Sequence, residues 1–208
     1  VATTYDGTGV GYTDYRIRGI DNSRINVTIN GVPYNDADSQ TTFFVNLQDF
    51  ASSLGSIQIQ RGVGSSTYGA AAFGASVSLA TSAPSADSFA RYSGSLGSFG
   101  TQKTTLQFGT GLRDGFALEG RLSAIESDGY VDRATSDLKS YFLNALWQDR
   151  DQKGTLNLLV FGGTETTGLS FFGLDRAGLA ADRTTNYDGV YYDSMGEERI
   201  YPNQTDNY

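Results

Sequence analysis

Two of the residue types that do most enzyme chemistry are missing: the 208-residue chain has no histidine and no cysteine. That removes Ser-His-Asp and Cys-His catalysis, HExxH zinc chemistry, haem ligation by histidine and thiolate metal sites. Paired carboxylates remain formally open, but no nucleophile–base pair or metal cluster is visible. Catalysis, a resident metal and a cofactor are therefore not expected. Asp188, Asp193, Glu197 and Glu198 could hold cations, but their spacing matches no EF-hand loop, and a solvated loop is the stronger reading. Glu119 and Arg121 share one parity of an expected strand. They could line an interior or pair with a domain held inside it, with a cross-strand ion pair the blander and favoured choice.

The elements that position these residues fall into three segments. Residues 1–86 are rich in Gly, Ser, Thr and Ala with short β-branched runs, and are expected to form one domain. Residues 87–163 read as long alternating strands joined by polar turns. Strands are expected over 88–96, 102–111, 116–125, 138–147 and 155–163. Leu112-Arg113-Asp114-Gly115 is a short turn signal between the second and third. Phe116, Leu118, Gly120 and Leu122 share one face of the third strand; Tyr141, Leu143, Ala145 and Trp147 share one face of the fourth. Leu156, Leu158 and Val160 do so in the fifth. Residues 164–208 are loop-like and acidic, with eight acidic and three basic residues and five of the thirteen tyrosines.

Strands of about ten residues with alternately short and long connections fit a tilted bilayer crossing. A soluble β-sandwich also buries one face of each strand, so alternation alone does not separate the two. The mean hydropathy of −0.32 suits both. No run reaches the roughly 18 apolar residues of a membrane helix. The net charge of −8 and the lack of a basic stripe argue against a nucleic-acid partner. The opening residues lack the basic and apolar regions of a signal peptide.

The first segment carries the most specific pattern. It begins with Tyr15-Arg16-Ile17-Arg18-Gly19, continues through Val27-Thr28-Ile29-Asn30-Gly31-Val32-Pro33, and reaches Ile57-Gln58-Ile59-Gln60-Arg61-Gly62. Then come Ser65-Ser66-Thr67-Tyr68-Gly69, Ala72-Phe73-Gly74-Ala75 and Val77-Ser78-Leu79-Ala80-Thr81. The glycines permit positive φ and close backbone approach. Together these residues resemble the plug domain of TonB-dependent outer-membrane receptors. The departures are Asn30 for the usual Asp, Gln58 for Glu and Val63 for Pro. The stretches 34–47 and 127–133 look most like the iron-receptor branch found in Bacteroidetes.

The resemblance implies an all-β chain with the C-terminal part of an α+β plug at 1–86, then the first antiparallel up-and-down transmembrane strands at 87–163. An extracellular loop region follows at 164–208. A closed barrel of this kind has about 22 strands, so the barrel here is incomplete and the remaining strands are expected partners. It implies an outer-membrane location in a Gram-negative bacterium, contact with lipid, and a periplasmic TonB-type energy-coupling protein. The cargo it implies is a ferric siderophore or other iron chelate, with cobalamin or oligosaccharide as alternatives. A passive porin or structural barrel is the competing class, but the glycine-rich start opposes it. Arg18 and Arg61 match arginines that lock plug to barrel by pairing with barrel glutamates; the alternative is that they decorate strand ends. Asp21, Asn22 and Ser23, with Tyr34, Asn35 and Asp36, match apex loops that face ligand. Tyr34 offers a ring and hydroxyl for a flat chelate, while Asn35 and Asp36 also read as an ordinary Asx turn.

Overall fold

A computed structural model describes residues 2–4, 13–62, 73–151 and 153–207. Ser65-Ser66-Thr67-Tyr68-Gly69 and most of the opening nine residues lie outside the described residues. β1 (Ala2–Thr4) pairs with β2 (Thr13–Tyr15). β3 (Ile25–Ile29), β4 (Val32–Pro33), β5 (Leu54–Arg61) and β6 (Ala75–Thr81) form a second sheet in the order β4-β3-β6-β5. Only β3 and β6 in it run parallel. The helical part of this domain, among the described residues, is three 3-10 segments: Asn22–Arg24, Phe44–Asn46 and Phe50–Ser53.

Asn30 and Gly31 both have positive φ, 50° and 82°, and make the tight β3–β4 turn that an Asn-Gly pair favours. The Asn30 side chain also accepts from the Thr81 amide at 2.9 Å and donates to its hydroxyl at 2.9 Å. The turn is thereby tied to the end of β6. Gly74 is a true close approach: a Cβ there would lie 2.6 Å from Ile20 Cγ2 and 3.1 Å from the Arg24 carbonyl.

The second part is a meander. β7 (Ser88–Leu96), β8 (Gln102–Thr110), β9 (Phe116–Ser127), β10 (Ser136–Gln148) and β11 (Thr155–Thr167) pair antiparallel in sequence order. The β8–β9 turn has Asp114 at φ 49° and Gly115 at φ 81°, closed by reciprocal 2.8 Å bonds between Arg113 and Phe116. All five strands fall where alternation put them. β9, β10 and β11 run further than expected at one end, because that end stays paired while its residues turn polar. Beyond β11 lie α1 (Arg176–Ala181), a hairpin of β12 (Val190–Tyr192) and β13 (Glu198–Ile200), and β14 (Gln204–Asn207). β14 returns to pair with β11, so residues 168–203 form a long loop between neighbouring strands.

The meander's two faces differ sharply. On one face Phe142, Leu159 and Phe161 pack against Ile25, Val27, Leu47, Phe50, Val77 and Leu79 of the first domain. Phe50 sits 4.8 Å from the Phe161 ring and 5.9 Å from that of Phe142. The first domain and the strand wall therefore share one apolar core. The opposite face is apolar and exposed. One cross-strand row there is Tyr92, Leu106, Leu122 and Tyr141; another is Phe116, Trp147 and Leu156. The sheets do not close into a barrel.

Candidate functional site

The strongest polar contact between the two parts centres on Asp49. This residue opens the Phe50–Ser53 turn with a left-handed backbone, φ 50° and ψ 22°. The turn aims its carboxylate at the wall. Oδ1 accepts from Lys103 Nζ at 2.5 Å and Ser52 Oγ at 2.5 Å. Oδ2 accepts from Arg121 Nη1 at 2.6 Å and Ser123 Oγ at 2.6 Å. The Arg121 side chain is only 3% exposed and donates from Nε to Ser53 Oγ at 2.8 Å. Burial alone would raise the Asp49 pKa. The bonds from Lys103, Ser123 and Ser52 and the charge of Arg121 outweigh it, and the net shift is downward.

This corrects the expectation of a cross-strand ion pair for Glu119 and Arg121. Both point inward, as their parity requires, but Arg121 reaches across to the first domain. Glu119 Oε2 instead accepts from the Ser85 amide at 3.2 Å and holds the linker into β7. A second anchor stands nearby: buried Asn144 donates to the Ser82 carbonyl at 3.0 Å and accepts from Asn157 at 2.8 Å.

Arg18 and Arg61 are both exposed, and neither forms an ion pair among the described residues. Arg18 sits at positive φ, 54°, in the tight turn bridged by Ile17 and Ile20. The acid–base contact that joins the two parts thus has the acid on the first domain and the bases on the wall. Asp49 is a lone charge between Leu47 and Phe50, both of which are buried, and the sequence alone does not single it out.

The expected apex residues divide by role. Asp21 caps the Asn22–Arg24 turn, accepting from the Ser23 amide at 3.1 Å, and this bond lowers its pKa. Asn22 and Ser23 are half-buried. Tyr34 packs its ring on Phe161, 6.4 Å between centroids, and burial raises its pKa. Asn35 donates both amide hydrogens, to the carbonyls of Ile25 at 2.9 Å and Gln40 at 2.8 Å. It accepts from the Val27 amide at 2.7 Å. Its side chain thereby extends the sheet edge beyond β4. Asp36 makes an Asx turn, accepting from the amides of Asp38 and Ser39 and from the Ser39 hydroxyl. Bonds from Ser39 lower its pKa.

In the acidic tail, Asp193 accepts from the amides of Met195 and Glu197 and pairs with Arg199 at 3.0 Å. Its job is to close the β12–β13 turn. No group of three or more acidic residues among the described residues is placed to hold a metal ion.

The family described as TonB-dependent Receptor Plug Domain matches residues 1–76. Over this stretch the chain is similar to the plug of TonB-dependent receptors. A comparison with curated protein sequences found no match. Among solved structures, the ferric citrate transporter FecA in its unliganded form aligns with a TM-score of 0.67 at 23% identity, over 90% of this chain and 30% of FecA. The pyoverdine receptor FpvA of Pseudomonas aeruginosa PAO1 aligns at 0.60 and 14%, over 81% and 25%. The ferric yersiniabactin uptake receptor FyuA of Yersinia pestis aligns at 0.60 and 14%, over 81% and 27%. The chain therefore spans between a quarter and a third of the length of these proteins. Its architecture is theirs: a plug sheet seated against the first strands of an open wall. In these terms Asp49 is a plug residue, and Arg121, Lys103 and Ser123 are wall residues that fasten it.

Proposed function

We propose that this chain is part of an outer-membrane receptor that imports a ferric siderophore or another iron chelate, driven by a periplasmic TonB-type protein. The observation that carries the reading is the inverted amphipathy of the wall around a plug. The inward face holds buried Arg121, Ser123, Ser140 and Asn144, and the outward face exposes Leu122, Tyr141, Leu143, Leu158 and Val160. A wall that shows its apolar side chains outward suits lipid rather than water. A plug across the lumen is of no use to a passive porin, but it suits scarce, bulky cargo taken up by active opening.

In this reading, further strands of the same barrel pair with the free edge of β7. They also cover Ile57 and Ile59, which β5 leaves exposed. Such strands would supply the carboxylates for Arg18 and Arg61. Ligand contact falls to Asp21, Asn22, Ser23 and Tyr34, with Asn35 and Asp36 shaping the loop beside them. Structures similar to it include receptors whose names record ferric citrate, pyoverdine and yersiniabactin, and this favours an iron chelate over cobalamin or oligosaccharide. The test is growth of a deletion strain on single iron sources. Loss of growth on one ferric chelate, restored by the full-length gene, is expected. Undiminished growth on every ferric chelate would refute the cargo.

A further inference from the structure

Asn30-Gly31 is the one Asn-Gly pair in the chain. Asparagine before glycine carries a latent reaction, because the glycine nitrogen can attack the side-chain carbonyl carbon with no Cβ in its way. The Gly31 nitrogen gives its proton to solvent hydroxide and bonds to Asn30 Cγ. The Cγ–Nδ2 bond breaks, and ammonia leaves with a proton taken from water. Water then adds to either carbonyl of the succinimide ring. One opening gives aspartate; the other gives isoaspartate, with an extra carbon in the main chain.

Both residues are exposed, and a Cβ built on Gly31 would meet nothing within 4 Å. Water and hydroxide therefore reach this turn freely. What holds the reaction back is the grip of β6. The Asn30 amide donates to the Leu79 carbonyl at 2.9 Å. Its side chain accepts from the Thr81 amide and donates to the Thr81 hydroxyl, each at 2.9 Å. The carboxamide is thus turned across to the neighbouring strand. At φ 50° Asn30 is left-handed, and in that conformation the next nitrogen lies on the far side from the residue's own Cβ. Ring closure requires the side chain to leave Thr81 and the turn to unwind. Thr81 is also where the sheet gives way to the wall. The next residue, Ser82, gives its carbonyl to buried Asn144 at 3.0 Å and its amide to the Ser53 carbonyl at 3.1 Å. Asn30 latches the β3–β4 turn onto a strand end that is itself fastened.

We propose that Asn30 is a covalent modification site, deamidated when the β3–β4 turn parts from β6. The product then records opening at this edge of the sheet. Aspartate latches again: one carboxylate oxygen takes the Thr81 amide and the other takes the hydroxyl proton. Isoaspartate does not, because a two-residue turn has no room for a further main-chain atom. The proposal stands on the turn alone and does not depend on the receptor reading.

The experiment incubates the full chain in detergent micelles at mildly alkaline pH and digests it with trypsin. Tandem mass spectrometry then locates deamidation on the fragment 25–61, which has no internal Lys or Arg. A synthetic peptide of residues 25–34 gives the unlatched rate. Asn30 in the folded chain should react about tenfold or more slowly than in the peptide, the weight of two hydrogen bonds. Thr81→Val, which removes the hydroxyl, should speed the reaction about fivefold, and Thr81→Ser should leave it within about twofold of the wild type. Asn22, which precedes Ser23 in another turn, should keep its rate in both variants. Equal rates in the folded chain and the peptide, an unchanged rate in Thr81→Val, or no modified Asn30 in Thr81→Val once the peptide has fully reacted overturns the proposal. Hydrogen exchange at the Thr81 amide should rise in the isoaspartate fraction and stay at the unmodified level in Asn30→Asp. A rise in Asn30→Asp overturns the assignment of aspartate as the form that latches again.

Discussion

Asp49→Asn isolates the fastening between plug and wall. The substitution keeps the shape and removes one negative charge. It leaves Arg121, 3% exposed, and Lys103, 32% exposed, without their shared carboxylate. Breaking a buried ion pair by removing one partner costs about 3–5 kcal/mol, mostly because the remaining charge is stranded. Lys103 adds little, since a side chain about one-third exposed is largely screened by water. The loss should therefore follow Arg121. At about 1.4 kcal/mol per decade, it corresponds to roughly two to three and a half orders of magnitude in local opening.

Hydrogen exchange of the amides around 49–54, in the full chain in micelles, reads that opening directly. Amides in the central register of β9 and β10 serve as the internal reference. The double variant Asp49→Asn/Arg121→Gln removes both charges and should recover at least half of the loss. Less than a tenfold rise in exchange for Asp49→Asn would refute the assignment of a fastening role. So would a double variant no better than the single one, because the cost would then not come from a stranded charge.

Four other outcomes follow from the same geometry. Acid should loosen the plug: the Asp49 pKa is lowered in the fold, so its contribution is complete above the unfolded value of about 3.9 and is lost as pH falls through the lower folded value. Exchange at 49–54 measured across that acid range checks the sign. Asn35→Ala removes the partners of the Val27 amide and of the Ile25 and Gln40 carbonyls, and should cost about 2–3 kcal/mol in denaturant unfolding. Leu122→Arg should cost about 2–4 kcal/mol if its face meets lipid, against about 0.5 kcal/mol or less on a watery surface; folding into liposomes measures it. Strong alkali should destabilise the region around Tyr15, whose pKa burial raises. Its contribution is complete below the unfolded value of about 10 and is lost as pH rises through the higher folded value, as ultraviolet titration of the phenol would show.

Much of the wall was legible because a strand repeats every two residues. Leu118, Leu122 and Leu143 fell on the expected face, and the Asp114-Gly115 pair marked its turn. The ends of β9, β10 and β11 were not legible. Ser136, Asp137, Thr164 and Thr166 continue the ladder with polar side chains, so hydropathy stops before hydrogen bonding does. The Asp49 fastening was hidden for a different reason. It links positions 72 residues apart through a carboxylate and a guanidinium, and neither local pattern names the other. Strand parity put Arg121 inward, and Asp49 stands among Leu47, Gln48 and Phe50 with nothing to single it out. Neither position shows that one answers the other. Asn35 was misleading because an Asx-rich loop looks alike whether its amides meet ligand or backbone.

Alternation could not tell a sandwich from a membrane wall, because both need one apolar face per strand. The deciding property is which face the rest of the chain covers. In a soluble sandwich the covered face is the apolar one. Here the plug covers a face that mixes Phe142 and Phe161 with Arg121, Ser123, Ser140 and Asn144, and it meets those polar groups with Asp49, Ser53 and the Ser82 carbonyl. The uncovered face carries the unbroken row Tyr92, Leu106, Leu122 and Tyr141. Polar residues inward matched by polar residues of a plug, with leucine and tyrosine left outward, are what supports the proposed reading of a wall that faces hydrocarbon. In that proposed reading the polar fastening of the plug and the apolar outer face are two results of one arrangement, since strands that give their apolar side chains to lipid must hold their contents largely with what remains on the other side.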